Sequence, residues 1–538
     1  MTTALDLFPL PTIRPSQAKV IDEIQKAYED GNKFVIVEAP VGSGKSAIAI
    51  TLARYYGQAH LITPRKALQD QYFADFSDHV VMMKGRSAYP CTTPLVPFNR
   101  RSLHGQYTKV INQIRKGSSP LFRKPIRSCA EGPCKDNLDY YTKCTSIMGK
   151  CPYKVAMEVA ENDAGVVHNL HSFVFQTQFA AKFSTRDILI IDEAHEVEGM
   201  VRDFVSRGLS VPQTLTEEEL QETKGFKDLD QWCNWMLQER FVRLVPDAKL
   251  GEEDRTYRDE YIEGVEDLRK MAPTYGESFA VRINADAFSK KTRVEFIPDN
   301  IRRAVNELLF RFGEKILLMS GTIYSKSKFC SILGIPEESA YFIRTSSSFP
   351  LESRPIYMRQ AHSVDTSHAN WGNNLTKTID VIQEVLDKFD DVKGLIHTPS
   401  YKATEEILAL SESDRLVGHS REDFQLRLEG FYQSDTPDVF VSPVCWQGVD
   451  FKDDRARFQI ILRVPYPNSG DEFISFKMKK DFSWYNYQAL IVFGQQVGRI
   501  NRSESDFGVT ILVDERFPKF LKRNARLLPK WLKEAVYT

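Results

Sequence analysis

The sequence predicts an α/β protein built from two successive parallel-sheet units, the first of them interrupted twice. Three observations carry this prediction. Short apolar runs alternate with helical periodicities, first between residues 16 and 63 and again beyond about residue 347. Two of the apolar runs end directly in chemically distinctive segments, one Gly-rich and one Asp-Glu. Two long stretches, about 83–154 and 199–302, lack the strand-helix rhythm altogether.

Taken in order, Ser16 to Asp30 places Val20, Ile21, Ile24, Ala27 and Tyr28 at helical spacing, with Ser16 as cap and Gly31 as stop. The run Phe34-Val35-Ile36-Val37 reads as a strand leading into Gly42-Ser43-Gly44-Lys45-Ser46. A helix over Ala47 to Tyr56 and a strand at His60-Leu61-Ile62-Thr63 complete a βαβ unit. From Met83 to about Lys154 the chain is basic and Cys-rich without a clear sheet. The sheet pattern resumes at Asp187-Ile188-Leu189-Ile190-Ile191 and runs into Asp192-Glu193-Ala194-His195. The second interruption is acidic, with Glu217, Glu218 and Glu219 consecutive, and offers helical patterns but no comparable β-run. Lys315-Ile316-Leu317-Leu318-Met319 returns the chain to the first unit. The second unit has strand candidates at Gly394 to His397, Val439 to Val441, Phe458 to Leu462 and Gly508 to Val513.

The chemistry sits at strand ends. In the Gly-rich loop, glycines let backbone N–H groups turn toward phosphate oxygens, Lys45 reaches the β/γ oxygens and Ser46 offers a hydroxyl to Mg²⁺. Ala39 stands where the general pattern has Gly. Asp192 at a strand end suits Mg²⁺, and Glu193 suits orienting or deprotonating a water. Either segment alone is common; together they specify an ATPase. Arg499 and Arg502 in the second unit have the spacing to reach a γ-phosphate across a cleft, with Gln495 one turn before.

Composition excludes several classes. At 538 residues the chain exceeds a single core, and about 150 residues per domain gives three to four. No run approaches the ~20 apolar residues of a membrane span. Met1 to Pro15 lacks a basic start and an apolar core, so it reads as no signal peptide and the expected location is cytoplasmic. The formal net charge of −1 leaves any nucleic-acid groove to local basic patches.

Five of the eight cysteines, Cys91, Cys129, Cys134, Cys144 and Cys151, fall in the first interruption, a pattern that favours metal or catalysis over disulfides in a cytosolic chain. Four thiolates hold either a zinc ion or an iron–sulfur cluster, and spacing alone leaves both open. Cys233, Cys330 and Cys445 read as core residues. Arg100, Arg101, Lys109, Arg115, Lys116, Arg123, Lys124 and Arg127, interleaved with Tyr107, Phe122, Tyr140 and Tyr141, form either a strand-binding path or a solvated face. Trp446, Tyr466 and Trp484 read as core rather than base contacts, and Lys519 to Lys533 as a docked amphipathic helix.

Asp192-Glu193-Ala194-His195 after a strand resembles the second nucleotide motif of superfamily 2 helicases, whose loops commonly carry Ala at the position of Ala39. Thr63-Pro64-Arg65, Ser320-Gly321-Thr322, Trp446 to Phe451 and Gln495 to Arg502 resemble further motifs in the same order. Within that superfamily the chain is similar to the XPD/DinG group of iron–sulfur DNA helicases over nearly its whole length. Lys84 to Cys91 resembles the run before that group's first cluster ligand, and Arg14 and Gln17 its adenine-side motif.

The resemblance implies two RecA-like motor domains, the first interrupted by an iron–sulfur cluster domain and a helical arch domain. The expected division is 1–85, 156–200 and 304–346 for the first motor domain, 86–155 for the cluster insertion, 201–303 for the arch and 347–538 for the second motor domain. It implies ATP, Mg²⁺ and a 4Fe-4S cluster as cofactors, and Cys91, Cys134, Cys144 and Cys151 as the favoured ligands, with Cys129 and Cys134 nearly as good a middle pair. Catalysis falls to Lys45, Asp192, Glu193, Gln495, Arg499 and Arg502; Arg14, Gln17, Gly42, Ser43, Gly44, Lys45, Ser46, Gly448 and Asp450 would bind the nucleotide, and Thr322 would couple it to the strand. The implied activity is ATP-driven 5′-to-3′ movement on single-stranded and forked DNA in repair, replication or recombination, by a monomer. RNA or an RNA–DNA hybrid is the alternative substrate, and a strand-binding scaffold with a vestigial ATPase the alternative class.

Overall fold

The structure, a computed structural model, describes residues 3–91, 128–131, 151–250, 255–271, 278–286, 291–347, 349–358, 363–446, 448–501 and 506–537. In chain order its strands are β1 (Phe34–Glu38), β2 (Ala59–Thr63), β3 (Val81–Met83), β4 (Gly165–Asn169), β5 (Arg186–Ile191), β6 (Arg207–Val211), β7 (Phe279–Asp286), β8 (Lys291–Pro298), β9 (Gly313–Ser320) and β10 (Ala340–Arg344). The remainder are β11 (Ile356–Met358), β12 (Gly394–His397), β13 (Leu416–Val417), β14 (Val439–Ser442), β15 (Phe458–Ile461), β16 (Val509–Leu512) and β17 (Val536–Tyr537).

The first sheet is parallel throughout, in the order β10-β1-β9-β5-β2-β4-β3. β1 is buried at every position, as a central strand covered on both faces must be. Alternate side chains serve different layers: Phe34 and Ile36 join one core cluster, Val35 and Val37 the other. The registers Glu38↔Ser320 and Ile191↔Leu318 bring the C-terminal ends of β1, β9 and β5 together. Everything that follows those ends therefore lies at one edge of the sheet.

The second sheet, β13-β14-β12-β15-β16-β11-β17, is likewise parallel. The two RecA-like units thus stand as the sequence predicts. Cys330 and Cys445 are buried in their cores, and Cys233 in that of the second insertion. The amphipathic C-terminal segment docks through Phe517, Phe520, Leu521, Leu528 and Leu532.

The second insertion is helical, and it also holds a three-stranded antiparallel sheet, β6-β8-β7, absent from the sequence reading. Its strands escaped notice because they are apolar on one face only. β8 begins Lys-Thr-Arg-Val-Glu-Phe, with Thr292, Val294 and Phe296 buried and Lys291, Arg293 and Glu295 not, which gives alternation instead of a continuous run. Trp232, Trp235, Phe241 and Val265 cover that inner face. Among the described residues, no helix is long and apolar enough to cross a membrane.

Candidate nucleotide site between the two sheets

The loop after β1 is held from both sides. The helix Pro15–Glu29 begins with Arg14 as its cap, where the Arg14 N–H donates to Gln17 Oε1 at 3.0 Å. Arg14 Nη1 donates to the Gly42 carbonyl at 2.9 Å, so the two residues meet the loop directly. Gly44 has φ +80°, a left-handed backbone that favours glycine, and a Cβ there would stand 2.0 Å from Gln17 Nε2, so a larger residue would push the Gln17 amide off the loop. The helix Lys45–Tyr56 starts at this glycine and directs its positive N-terminal end into the loop. Lys45 Nζ donates to the Ala39 carbonyl at 3.1 Å, and Ser43 Oγ is buried without a hydrogen-bond partner.

Asp192 follows β5 and is fully enclosed. Its Oδ2 accepts from the Tyr72 hydroxyl at 2.8 Å, and the same hydroxyl meets the Ser46 side chain. Burial pushes the Asp192 carboxyl up to about 6, reinforced by the Glu193 charge and opposed by Lys45. At Glu193, burial pulls upward but is outweighed by the close approach of His195 and by the charges of His195, Lys45 and Arg499, which hold this carboxyl well below its usual range. Glu193 also sits in the left-handed region, φ +49°, a strained conformation for a residue with a side chain.

From Glu193 a polar path runs between the sheets. His195 Nδ1 lies 3.3 Å from Glu193 Oε2 and shares a hydrogen bond with Ser320 Oγ at 2.8 Å. Ser320 Oγ accepts from the Thr322 N–H at 3.2 Å, and Thr322 Oγ1 accepts from Gln495 Nε2 at 2.9 Å. Gln495 Oε1 in turn accepts from Arg499 Nη2 at 3.1 Å, while Arg499 Nη1 donates to the Val449 carbonyl at 2.8 Å. Pro40, Val41, Thr322, Gln495 and Gly498 line one cavity.

Gly448 faces the first unit at φ +71°, with Arg65 Nη1 2.9 Å from where a Cβ would lie. Arg65 is itself gripped by both oxygens of Glu196. The Asp450 carbonyl accepts from Tyr432 at 2.9 Å. Arg502 lies outside the described residues. Trp484 is buried, and Tyr466 stacks on Tyr485. Tyr72, His195 and Glu196 are residues of this site that the sequence reading missed. His195 had a signal, its place in the Asp-Glu-Ala-His run; Tyr72 and Glu196 had none.

In the first insertion, Cys129 Sγ lies 3.7 Å from Cys151 Sγ, and Cys91 packs against the same cluster. Cys129 N–H donates to the Tyr89 carbonyl at 2.8 Å, which fixes it beside the Cys91 segment. Cys151 caps the helix Pro152–Asn162; the hydrogen bond with Cys129 and the N–H groups of that helix lower its thiol to about 6, against burial. The expected ligands Cys134 and Cys144 lie outside the described residues, as do the eight basic residues and four aromatics of the expected strand path. Among the described residues no group of three or more metal-ligating side chains converges.

Comparison with known proteins gives a consistent picture. The family described as "Helicase C-terminal domain" matches residues 382–535, and "Type III restriction enzyme, res subunit" matches 10–120. The chain is 21% identical to "ATP-dependent DNA helicase YoaA" of Haemophilus influenzae, over 94% of this chain and 91% of that protein. It is 28% identical to "Fanconi anemia group J protein homolog" of Gallus gallus over 28% of this chain, which spans only 14% of that protein's length. Among solved structures, "XPD_Helicase" superposes with a TM-score of 0.61 at 15% identity, covering 96% of this chain and 98% of that one. "Structure of S. tokodaii Xpd4" superposes with 0.56 at 13% identity, covering 98% and 100%. These likenesses are of fold.

Proposed function

We infer that this chain, an XPD/DinG-like superfamily 2 helicase, is an ATP-dependent DNA helicase that moves 5′-to-3′ on a single strand and opens forked duplex. The observation that carries this reading is the polar path from Glu193 through His195, Ser320, Thr322 and Gln495 to Arg499. It ties the groups suited to cleaving ATP in one unit to a guanidinium in the other.

In this reading Arg14 and Gln17 hold the adenine side, while the loop N–H groups, Ser43 and Lys45 cradle the phosphates. Ser46 and Asp192 would hold Mg²⁺, which neutralises phosphate charge; the Ser46–Tyr72–Asp192 cluster is a donor set of oxygens that fits a hard cation. Glu193, kept ionised, takes the proton of the attacking water. Arg499 stabilises the charge that develops on the transferred phosphoryl group, an effect on the order of 10³-fold or more. Because Arg499 belongs to the second unit, hydrolysis and product release alter the fit between the units, and that movement drives the strand.

A 4Fe-4S cluster in the first insertion would be held by Cys91, Cys151 and two of Cys129, Cys134 and Cys144, tying the ends of the insertion together. The nearness of Cys129 to Cys151 and to the Cys91 segment supports counting Cys129 among the candidate ligands of either metal. Zinc is a second reading here, since 3.7 Å is close to the ~3.8 Å edge of a thiolate tetrahedron with metal–sulfur bonds of ~2.3 Å.

The test is Lys45→Ala in the full chain, with ATP hydrolysis measured on added single-stranded DNA and RNA, and unwinding on duplexes carrying only a 5′ or only a 3′ tail. The expected result is loss of DNA-stimulated hydrolysis in the variant and wild-type unwinding from the 5′ tail. Hydrolysis that survives Lys45→Ala would overturn the site, unwinding from the 3′ tail the polarity, and stimulation by RNA alone the substrate.

A further inference from the structure

The helix Val197–Val205 follows Asp192-Glu193 after a single 3-10 turn, and the helix Phe482–Val497 leads into Arg499. On the latter, Trp484, Gln488 and Gln495 share one face, four and eleven residues apart. Tyr487 beside that face donates to the Ile323 carbonyl at 2.6 Å, and among the described residues the face itself hydrogen-bonds the first unit at two points. One is Gln495 on Thr322, already described. The other is Glu198, whose Oε1 accepts from Trp484 Nε1 at 2.8 Å and whose Oε2 accepts from Gln488 Nε2 at 2.8 Å.

Glu198 is only 6% exposed, and so enclosed a carboxylate needs compensation. Arg202, one turn on in the same helix, supplies it, with Nη2 2.9 Å from Glu198 Oε1. Arg202 is tied further: Nε donates to the Pro298 carbonyl at the end of β8, and its guanidinium lies 4.3 Å from the Phe473 ring centre. The second insertion, the helix after Glu193 and the helix before Arg499 therefore join at one buried ion pair.

A buried pair of this kind adds little net stability, because desolvation offsets its attraction; geometric specification is the better account of it. Its layout also suits a contact that is made and broken. If the two units part, Glu198 gives up Trp484 and Gln488 but keeps Arg202 on its own helix, so no bare charge is left behind.

We propose that Glu198 is a positioning residue for ATP hydrolysis: it docks the Trp484/Gln488 face and so sets where Arg499 stands relative to Glu193. The inference rests on the ATPase reading above. Glu198 acts through Arg499, its own partners being Trp484, Gln488 and Arg202.

The experiment measures kcat and KM for ATP in DNA-stimulated hydrolysis, with a fluorescent ATP analogue reporting binding and thermal unfolding reporting the fold. The variants are Glu198→Ala, Glu198→Gln and Gln488→Ala, each alone and with Arg499→Lys. The expected result for Glu198→Ala is a kcat lower by about tenfold or more, with KM and analogue binding within about twofold of wild type. Glu198→Gln, which keeps an acceptor for Trp484, recovers most of that loss. In the Arg499→Lys background Glu198→Ala adds about twofold or less, because both changes disturb the same group. If Glu198→Ala does not fold, Gln488→Ala carries the test, with a loss of about threefold that likewise vanishes in the Arg499→Lys background. Wild-type kcat in Glu198→Ala or in Gln488→Ala overturns the inference, as do penalties that multiply with Arg499→Lys. A wild-type chain with no DNA-stimulated hydrolysis overturns the ATPase reading first, and this inference with it.

Discussion

Gln495 Nε2 donates to Thr322 Oγ1 at 2.9 Å, a buried hydrogen bond that joins the two parallel-sheet units directly behind the phosphate loop. Both partners have further ties: Thr322 to Ser320 through its backbone N–H, and Gln495 to Arg499 through its side-chain oxygen. Thr322→Val keeps the shape and removes the acceptor, leaving the Gln495 amide unsatisfied at a cost of about 1–3 kcal/mol in the closed arrangement only. Nucleotide affinity should be unchanged, while kcat for DNA-stimulated hydrolysis falls about tenfold or more. A variant whose KM rises at constant kcat would assign Thr322 to binding instead.

Gly44→Ala should weaken ATP binding about tenfold, since it combines a left-handed backbone, at ~1–2 kcal/mol, with displacement of the Gln17 amide from the loop. Gly57→Ala is the control. Gly57 has φ +85° and ψ −47°, a backbone at least as unfavourable for alanine, but open space around its Cβ position, so that variant loses at least as much stability and binds ATP normally. Binding of a fluorescent ATP analogue separates the two.

Metal content tests the first insertion. Protein purified without oxygen and assayed for iron, sulfide and zinc should contain iron and sulfide. Cys91→Ser, Cys129→Ser and Cys151→Ser should each lose them, and one of Cys134→Ser and Cys144→Ser should retain them. Retention by Cys129→Ser would return the assignment to Cys134 and Cys144, and zinc without iron would replace the cluster by a single ion.

His60 and His168 form a buried pair whose protonation opposes folding. The Ser184 carbonyl can only accept, so His60 carries its proton on Nε2 and accepts at Nδ1 from His168 Nε2, 3.2 Å away. Burial, with Arg186 nearby, lowers His60 from 6.5 to about 3, and burial with His60 nearby depresses His168 well below its usual value. Below about 6.5 the unfolded chain takes up protons that the folded chain refuses. The contribution is therefore whole above that pH and is lost as pH falls toward 3, by ~1.4 kcal/mol per pH unit for each histidine. His168→Gln should flatten the dependence of stability on pH between 6.5 and 4 by about one proton, measured by urea unfolding at several pH values. An unchanged slope would contradict the pairing.

What the sequence determined by itself is the chemistry that lies within short windows. A strand, a Gly-rich turn and a helix start are local structure, so Gly42 to Ser46 could be read as a phosphate cradle, and the continuous run Ile188 to Ile191 announced a buried parallel strand with Asp192 at its end. The order of such segments was enough to set two parallel-sheet units. Strands exposed on one face gave a weaker signal, and β6, β7 and β8 were lost among helical patterns. Contacts between distant segments had no local signal at all. Glu198 and Trp484 are 286 positions apart, and Tyr72 and Asp192 are 120. The tertiary structure alone decided that Cys129 stands against Cys151, that His195 links Glu193 to Ser320, and that Glu198 carries the helix leading to Arg499. Burial makes such pairings specific: an enclosed polar group must find its partner wherever the chain brings one, and no spacing along the sequence encodes where that is.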